Sequence, residues 1–306
     1  MIESQGSAVT VRGKNRLRNG RYREIWPLAF LLPAIFMLGV VFVFPLISVV
    51  KFSFYAGRVG DLAPVGFANY YNLLHDSVFL IAIKNNLKLL ITAPVSVALA
   101  LTISLILYEG VKGWRSYRII VFIPYIIPGT VVGLSFSYLL QQSGILNTVL
   151  NRLHLSKLAL DWLGNGALSI YSVGGLLIWS QLGFSVIALT AALLSLPQEV
   201  NEAAIVDGAS KWQKQRYVII PQLKNTIQFL SVLQIINALA WVFPYVFTLT
   251  RGGPGNSSMV MDLFIWQYGF SLGSVGYASA AAVYLLGLSG IFIYLYSRIR
   301  RNQEEL

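Results

Sequence analysis

The sequence predicts an all-α integral membrane protein with six transmembrane helices, and three observations carry that prediction. Apolar residues gather into long blocks, each near the roughly 20 residues a helix needs to cross a bilayer. Of the 306 residues, 56% are hydrophobic and only 11% charged, whereas soluble domains carry about 25% charged residues. The blocks also lack the strict alternation of a β-barrel strand, and they contain the glycine and proline that membrane helices tolerate.

Taken in order, the apolar runs place spans at 26–50, 87–108, 119–140, 170–194, 226–250 and 277–297. The first lies too deep in the chain, and runs too long, for a cleaved signal peptide, and no small-residue cleavage site follows it. It is expected as a retained helix. Sixteen of the 23 lysines and arginines fall on one side of this arrangement: Arg12 to Arg23, Lys112 to Arg118, Lys211 to Lys224, and Arg298 to Arg301. Basic loops stay on the cytoplasmic side, so both termini are expected in the cytoplasm. The same distribution accounts for the net charge of +11. Its basic residues flank apolar spans instead of forming a stripe on a soluble face, so nucleic acid is not an expected partner. The organisation is a basic cytoplasmic tail (1–25), a transmembrane domain (26–298) and a short cytoplasmic tail (299–306). Cysteine is absent, which removes disulfides, thiol nucleophiles and Cys-based metal sites.

The interior of these spans is as informative for what it lacks. All twelve acidic residues and both histidines, His75 and His154, fall outside them. A proton-coupled carrier needs an ionisable group at depth where the proton can rest. A sodium site made of carbonyls and hydroxyls is left open by that absence, so an ion-coupled secondary transporter of a small polar solute is the alternative reading. No metal site is expected. No HExxH, paired intramembrane carboxylates or GxxxxGK[ST] occurs, so the chain is expected not to be an enzyme and not to hydrolyse ATP itself.

The stretch between the fourth and fifth spans, 195–224, carries the most specific pattern. It reads as a short helix, a turn and a second helix. Ser195 is expected to cap the first helix, with Gln198 as its capping-box partner and Pro197 in the first turn. Gly208 suits the left-handed residue that ends such a helix, and Pro221 is expected to stop the second. Ala203 and Ala204 let another surface approach closely, Ile205 and Val206 offer apolar contact, and Glu202 and Asp207 offer charge. That mix suits a docking element.

The run Glu202-Ala-Ala-Ile-Val-Asp-Gly208-Ala, followed by Trp212-Gln213 and Pro221-Gln-Leu, closely resembles the EAA loop of binding-protein-dependent ABC importer permeases, in the carbohydrate-uptake branch of maltose and glycerol-phosphate type. The resemblance implies a type I ABC importer permease fold, in which this segment is the coupling helix seated in a cleft of the ATPase. Carried over, Glu202, Ala203, Ala204, Asp207, Gly208 and Ala209 are the ATPase-coupling residues. It further implies a second homologous permease, an ABC ATPase dimer, an extracytoplasmic solute-binding protein and a carbohydrate substrate, within the cell membrane of a prokaryote. This chain itself holds no cofactor; ATP and Mg are bound by the partner ATPase. Gln215 departs from the pattern, standing where the family usually has phenylalanine. Gly66-Phe67-Ala68-Asn69-Tyr70 before the second span and Gly252-Gly253-Pro254 after the fifth match further stretches of the same family.

Solute contacts are expected from polar and aromatic side chains facing a central cavity. In the fifth span Gln234, Asn237, Trp241 and Tyr245 recur at helical spacing on one face. Amides bond sugar hydroxyls and rings cover the apolar face of a sugar. Gln181 lies near mid-depth in the fourth span. Intramembrane Gln and Asn also bond neighbouring helices, for under about 2 kcal/mol, so this set has a packing reading beside the cavity reading. Pro124 and Pro128 predict a kink in the third span. The loops 51–86, 141–169 and 251–276 are long enough to receive a soluble binding protein.

Overall fold

A computed structural model describes residues 30–58 and 60–301. The basic tail 1–25, the first residues of the first span and the last five residues lie outside the described residues. The chain divides into two units, Met1–Val49 and Val50–Leu306. The first contributes most of α1, Phe30–Phe52, an apolar helix of mean hydropathy 2.7 with a π-helical turn at Gly39–Val43.

The second unit opens with a hairpin, β1 (Tyr55–Arg58) and β2 (Asp61–Pro64), antiparallel with Tyr55 opposite Pro64 and Arg58 opposite Asp61. Helix α2 (Ala68–His75) follows. Asn69 Nδ2 donates to the carbonyls of Ser53 and Tyr55, both at 2.8 Å, and the Tyr70 hydroxyl lies 2.6 Å from Ser53 Oγ. The Gly66–Tyr70 motif is therefore a clamp that fastens α2 to the approach of the hairpin.

Helices α3 (Ser77–Leu89) and α4 (Thr92–Tyr108) make one span of 32 residues, Ser77–Tyr108. It begins ten residues before the predicted start at 87. Asp76 caps it, its Oδ1 accepting from the amides of Val78 at 2.8 Å and Phe79 at 3.1 Å. Hydropathy missed this first part because Lys84, Asn85, Asn86 and Lys88 interrupt it.

The third span is α5 (Trp114–Ile126) and α6 (Gly129–Leu139), bent by 96°. Of the two prolines, Pro124 stays inside α5 and Pro128 makes the break. The residue before a proline is pushed out of the helical region, and Ile127 accordingly sits at φ −74°, ψ 130°. A small helix, α7 (Ile145–Arg152), leads towards the fourth span, α8 (Ser169–Leu194). There α5 approaches so closely that a methyl group on Gly183 would collide with the Val121 carbonyl, the small-residue contact that lets helices associate in lipid.

After the 195–224 loop comes the fifth span, α12 (Lys224–Ala240) and α13 (Phe243–Leu249), bent by 44°. Within the loop, α9 is Gln198–Val206, α10 Lys211–Gln213 and α11 Ile220–Gln222. Helix α14 (Met261–Trp266) then folds back, and α15 (Val275–Arg301) forms the sixth span. Four long apolar helices, with each of the two bent pairs counted as one span, make the six that the sequence predicts.

Two apolar clusters hold the unit together. One gathers Phe79, Leu89, Ile170, Leu177, Leu239, Val246, Phe264 and Ala281. The other, at the end that carries the loop, gathers Ala100, Leu105, Val186, Leu189, Leu193, Ile219, Leu223 and Leu230. Lipid tails are as apolar as these side chains, so the gain is close packing more than transfer from water.

Candidate docking loop and translocation path

The capping chemistry of the loop differs from expectation at its start. Ser195 does not cap α9: its hydroxyl donates to the Ala192 carbonyl at 2.8 Å and closes α8, while Pro197 occupies the cap position of α9 without a side-chain bond. The same Ser-x-x-Gln spacing recurs fifteen residues on, and there the box forms. Gln213 N–H donates to Ser210 Oγ at 3.3 Å and Ser210 N–H to Gln213 Oε1 at 2.8 Å. In the first box Leu196 would have to be the first helical residue, and the proline after it disfavours helical geometry there, so Ser195 stays as the end of α8.

The end of α9 follows expectation. Asp207 is the last capping residue and Gly208 is left-handed at φ +75°. Ala209 N–H donates to the Ala204 carbonyl and Gly208 N–H to that of Ile205, both at 3.0 Å. This is the Schellman arrangement; the turn satisfies its own backbone and needs nothing from the rest of the chain. Pro221 does not stop the second helix. The chain passes through a π-helical stretch, Lys214–Ile219, into α11, and turns at Leu223.

The turn presents its apolar side chains outwards: Val206 is 86% exposed, Trp212 68% and Ile205 60%. Glu202, Ala203, Asp207 and Gly208 are exposed and Ala209 half-buried, but Ala204 is buried. Ala204 therefore packs α9 against its own chain, while Ala203 remains on the open side.

Two amides tie this loop to the end of α4. Asn201 Nδ2, from α9, donates to the Tyr108 hydroxyl at 3.1 Å. Gln215 Nε2, from the π-helical stretch, donates to the Glu109 carboxylate at 2.6 Å. Between them lies a cleft of about 480 Å³ bordered by Glu109, Glu202, Lys211 and Lys214. At Gln215, the position that departs from the pattern of the resembled family, the structure places this polar contact.

The predicted path residues separate into two groups. Helix α12 ends at Ala240, and Trp241 leaves helical geometry at φ −128°, ψ 18°, so Gln234, Asn237, Trp241 and Tyr245 do not share one continuous helical face. Gln234 and Asn237 are buried: Gln234 Nε2 donates to Ser185 Oγ of α8 at 3.0 Å and Asn237 Nδ2 to Gln234 Oε1 at 3.5 Å. Tyr245 is buried with its ring against Gly129 of α6. These three pack helices. Trp241, by contrast, is 66% exposed at the break, and Gln181 is half-buried.

A break in a membrane helix frees backbone groups that lipid cannot satisfy, and here distant side chains satisfy them. Asn86 Nδ2 donates to the carbonyls of Ala238 at 3.2 Å and Leu239 at 3.0 Å, while its Oδ1 accepts from the Met261 amide at 2.8 Å. Asp262 Oδ2 accepts from the Phe243 amide at 2.6 Å, capping α13. Its carboxyl is enclosed although the residue as a whole is half-buried, and burial pushes its pKa up to about 7. Asn85 Nδ2 donates to the carbonyls of Ser257 and Met259, fastening the turn in which Arg251, Gly252, Gly255 and Asn256 all take positive φ. Among the described residues, no group of three or more His, Cys, Asp or Glu is placed to hold a metal ion.

Residues 92–303 match the family described as the binding-protein-dependent transport system inner membrane component. The chain belongs to that family. Its relatives include a probable ABC transporter permease of Pyrococcus horikoshii, 32% identical over 87% of this chain and 93% of the relative. A diacetylchitobiose uptake permease of Streptomyces coelicolor is 30% identical over 89% of this chain and 81% of the relative. The fold is that of a solved bacterial ABC transporter involved in the import of the acidic polysaccharide alginate, with a TM-score of 0.80 over 94% of this chain and 99% of that chain at 23% identity.

The permease is thus an inner membrane component of an ABC importer, a transport subunit and not an enzyme, and the ion-coupled reading is not favoured. The 195–224 loop lies wholly inside the matched segment, whereas Asn85 and Asn86 lie just ahead of it. Sequence reasoning missed those asparagines, along with Asp262, Tyr108 and Glu109. One signal was present: two consecutive amides inside an apolar helix need internal partners.

Proposed function

We propose that this permease forms, with a second homologous permease, the path by which a sugar or sugar-like solute crosses the cell membrane of a prokaryote. An ABC ATPase dimer drives it, binding ATP and Mg, and an extracytoplasmic binding protein delivers the solute to the loops 51–86, 141–169 and 251–276. Both termini and the 195–224 loop face the cytoplasm in this reading, in keeping with the bias of basic residues. The single observation that carries it is the self-satisfied turn at Gly208, which offers Ile205, Val206 and Trp212 to a partner. Glu202, Ala203, Asp207, Gly208 and Ala209 are its coupling residues, and Ala204 holds α9 in place beneath them.

Closure of the ATPase dimer moves that rigid turn, and the bundle rocks between inward-open and outward-open states. Trp241 and Gln181 are the solute contacts favoured by their exposure, with an indole face suited to the apolar side of a sugar ring. The carbohydrate class is supported by the relative named for diacetylchitobiose uptake and by the alginate importer of the same fold.

The test is isolation of the permease with its ATPase. Gly208→Val places a β-branched residue at φ +75°, a conformation that costs an ordinary residue about 1–2 kcal/mol. It should strip the ATPase from the purified complex and abolish saccharide-stimulated ATP hydrolysis in reconstituted vesicles. Uptake that persists in vesicles lacking the ATPase would overturn the reading.

A further inference from the structure

The second span touches both regions that matter for transport. At one end Tyr108 and Glu109 hold the two arms of the docking loop, through Asn201 at 3.1 Å and Gln215 at 2.6 Å. Further along the same 32-residue helix, Asn86 holds carbonyls of the last turn of α12, just before the break in the fifth span, and joins them to the first amide of α14. Asn85 holds the turn that follows. At the far end Asp76 Oδ2 accepts from the Tyr277 hydroxyl at 3.0 Å, reaching α15. Between these points α4 is locked to α8: Ser104 Oγ donates to the Val186 carbonyl at 3.1 Å, and Ala100 and Leu105 are buried in one cluster with Val186, Leu189 and Leu193.

We propose that the second span is the strut that carries movement of the docking loop to the break at Trp241, with Glu109 and Gln215 as the positioning residues that engage it. The inference rests on the ABC-importer reading and adds to it a route within this chain. A packed helix transmits displacement along its axis because its interior has discrete arrangements and is not continuously deformable. What it needs at each end is a directional attachment. A charge-assisted hydrogen bond at the Glu109 carboxylate gives that direction, being stronger and shorter than a neutral one. An aromatic ring at 215 would pack there without fixing a direction. Glu109 is exposed and Gln215 half-buried, so the bond can be removed without emptying a core.

The chain's lack of cysteine allows a single spin label at Ala240→Cys, an exposed position at the last residue of α12. The assembled transporter, in lipid nanodiscs, is compared without nucleotide and after trapping with ATP and vanadate. In the otherwise unaltered protein the label's spectrum should change on trapping. Glu109→Ala and Gln215→Ala should each weaken that change about threefold or more while the ATPase still co-purifies. Glu109→Gln, which keeps an acceptor at the same reach but not the charge, should restore part of it. A full response in both alanine variants overturns the strut. Loss of the ATPase from those variants also overturns it, since the pair would then serve docking and not transmission. If the unaltered chain recruits no ATPase, the importer reading fails first, and that failure is separate from the other two.

Discussion

The turn at Gly208 and the break at Trp241 are both interruptions of helix, yet they solve the same backbone problem in opposite ways. At Gly208 the freed carbonyls of Ala204 and Ile205 are taken up by amides three to five residues on. At Trp241 the freed carbonyls of Ala238 and Leu239 are taken up by Asn86, some 150 residues earlier, and the Phe243 amide by Asp262. The first lies where water is available, and a local motif suffices. The second lies within a span, where each unsatisfied group costs several kcal/mol, so the fold recruits side chains from other helices. The backbone at the turn is therefore satisfied within the turn itself, while the break depends on side chains of α3 and α14.

Asn86→Leu tests that contrast most severely. It is close to the asparagine in size but leaves two carbonyls and the Met261 amide without partners. Unsatisfied buried groups cost about 1–3 kcal/mol each, so with three such groups the variant should lose at least about 3 kcal/mol in total. Thermal unfolding in detergent measures it. A midpoint equal to that of the unaltered protein would mean that the break draws its stability from elsewhere.

The same contrast explains what was legible in the sequence. The six spans, the helix-turn-helix of the loop and the left-handed Gly208 follow from runs and spacings within about 20 residues. The shared face of Gln234, Asn237, Trp241 and Tyr245 does not survive, because helical spacing presumes a continuous helix and α12 stops at Ala240. Pro244, at the start of α13, is the local signal of that stop, since it cannot donate to the Ala240 carbonyl, but the partners that stabilise the stop, Asn86 and Asp262, lie far away in the sequence. Likewise the second span's first ten residues were hidden by Lys84, Asn85, Asn86 and Lys88, of which the two asparagines find their partners in the distant turn and break they fasten. Ser195 and Ser210 share one local pattern, and only the position of Pro197 separates them.

Asp262 offers a milder test, through pH. Burial raises its folded pKa to about 7 from an ordinary value of 3.8. Between these values the folded protein binds the proton that the unfolded chain releases, so stability falls as pH rises through that window and levels off above about 7. Asp262→Asn, which cannot titrate, should flatten this part of the dependence of unfolding midpoint on pH. If both proteins show the same slope between pH 4 and 7, the carboxyl at the break is not the group responsible.

The smallest effect separates the two serines. Ser210 closes a capping box with Gln213, and removing such a cap costs about 1 kcal/mol. Ser195 only returns a bond to the preceding turn at Ala192, a contact of little net value to a helix. Ser210→Ala should therefore speed hydrogen exchange at the Gln213 amide about fivefold, the factor that 1 kcal/mol implies. Ser195→Ala should leave the amides of α9 unchanged. Should Ser195→Ala be the variant that loosens α9, the assignment of the cap to Ser210 alone is wrong, and the proline two residues on has not excluded the first box.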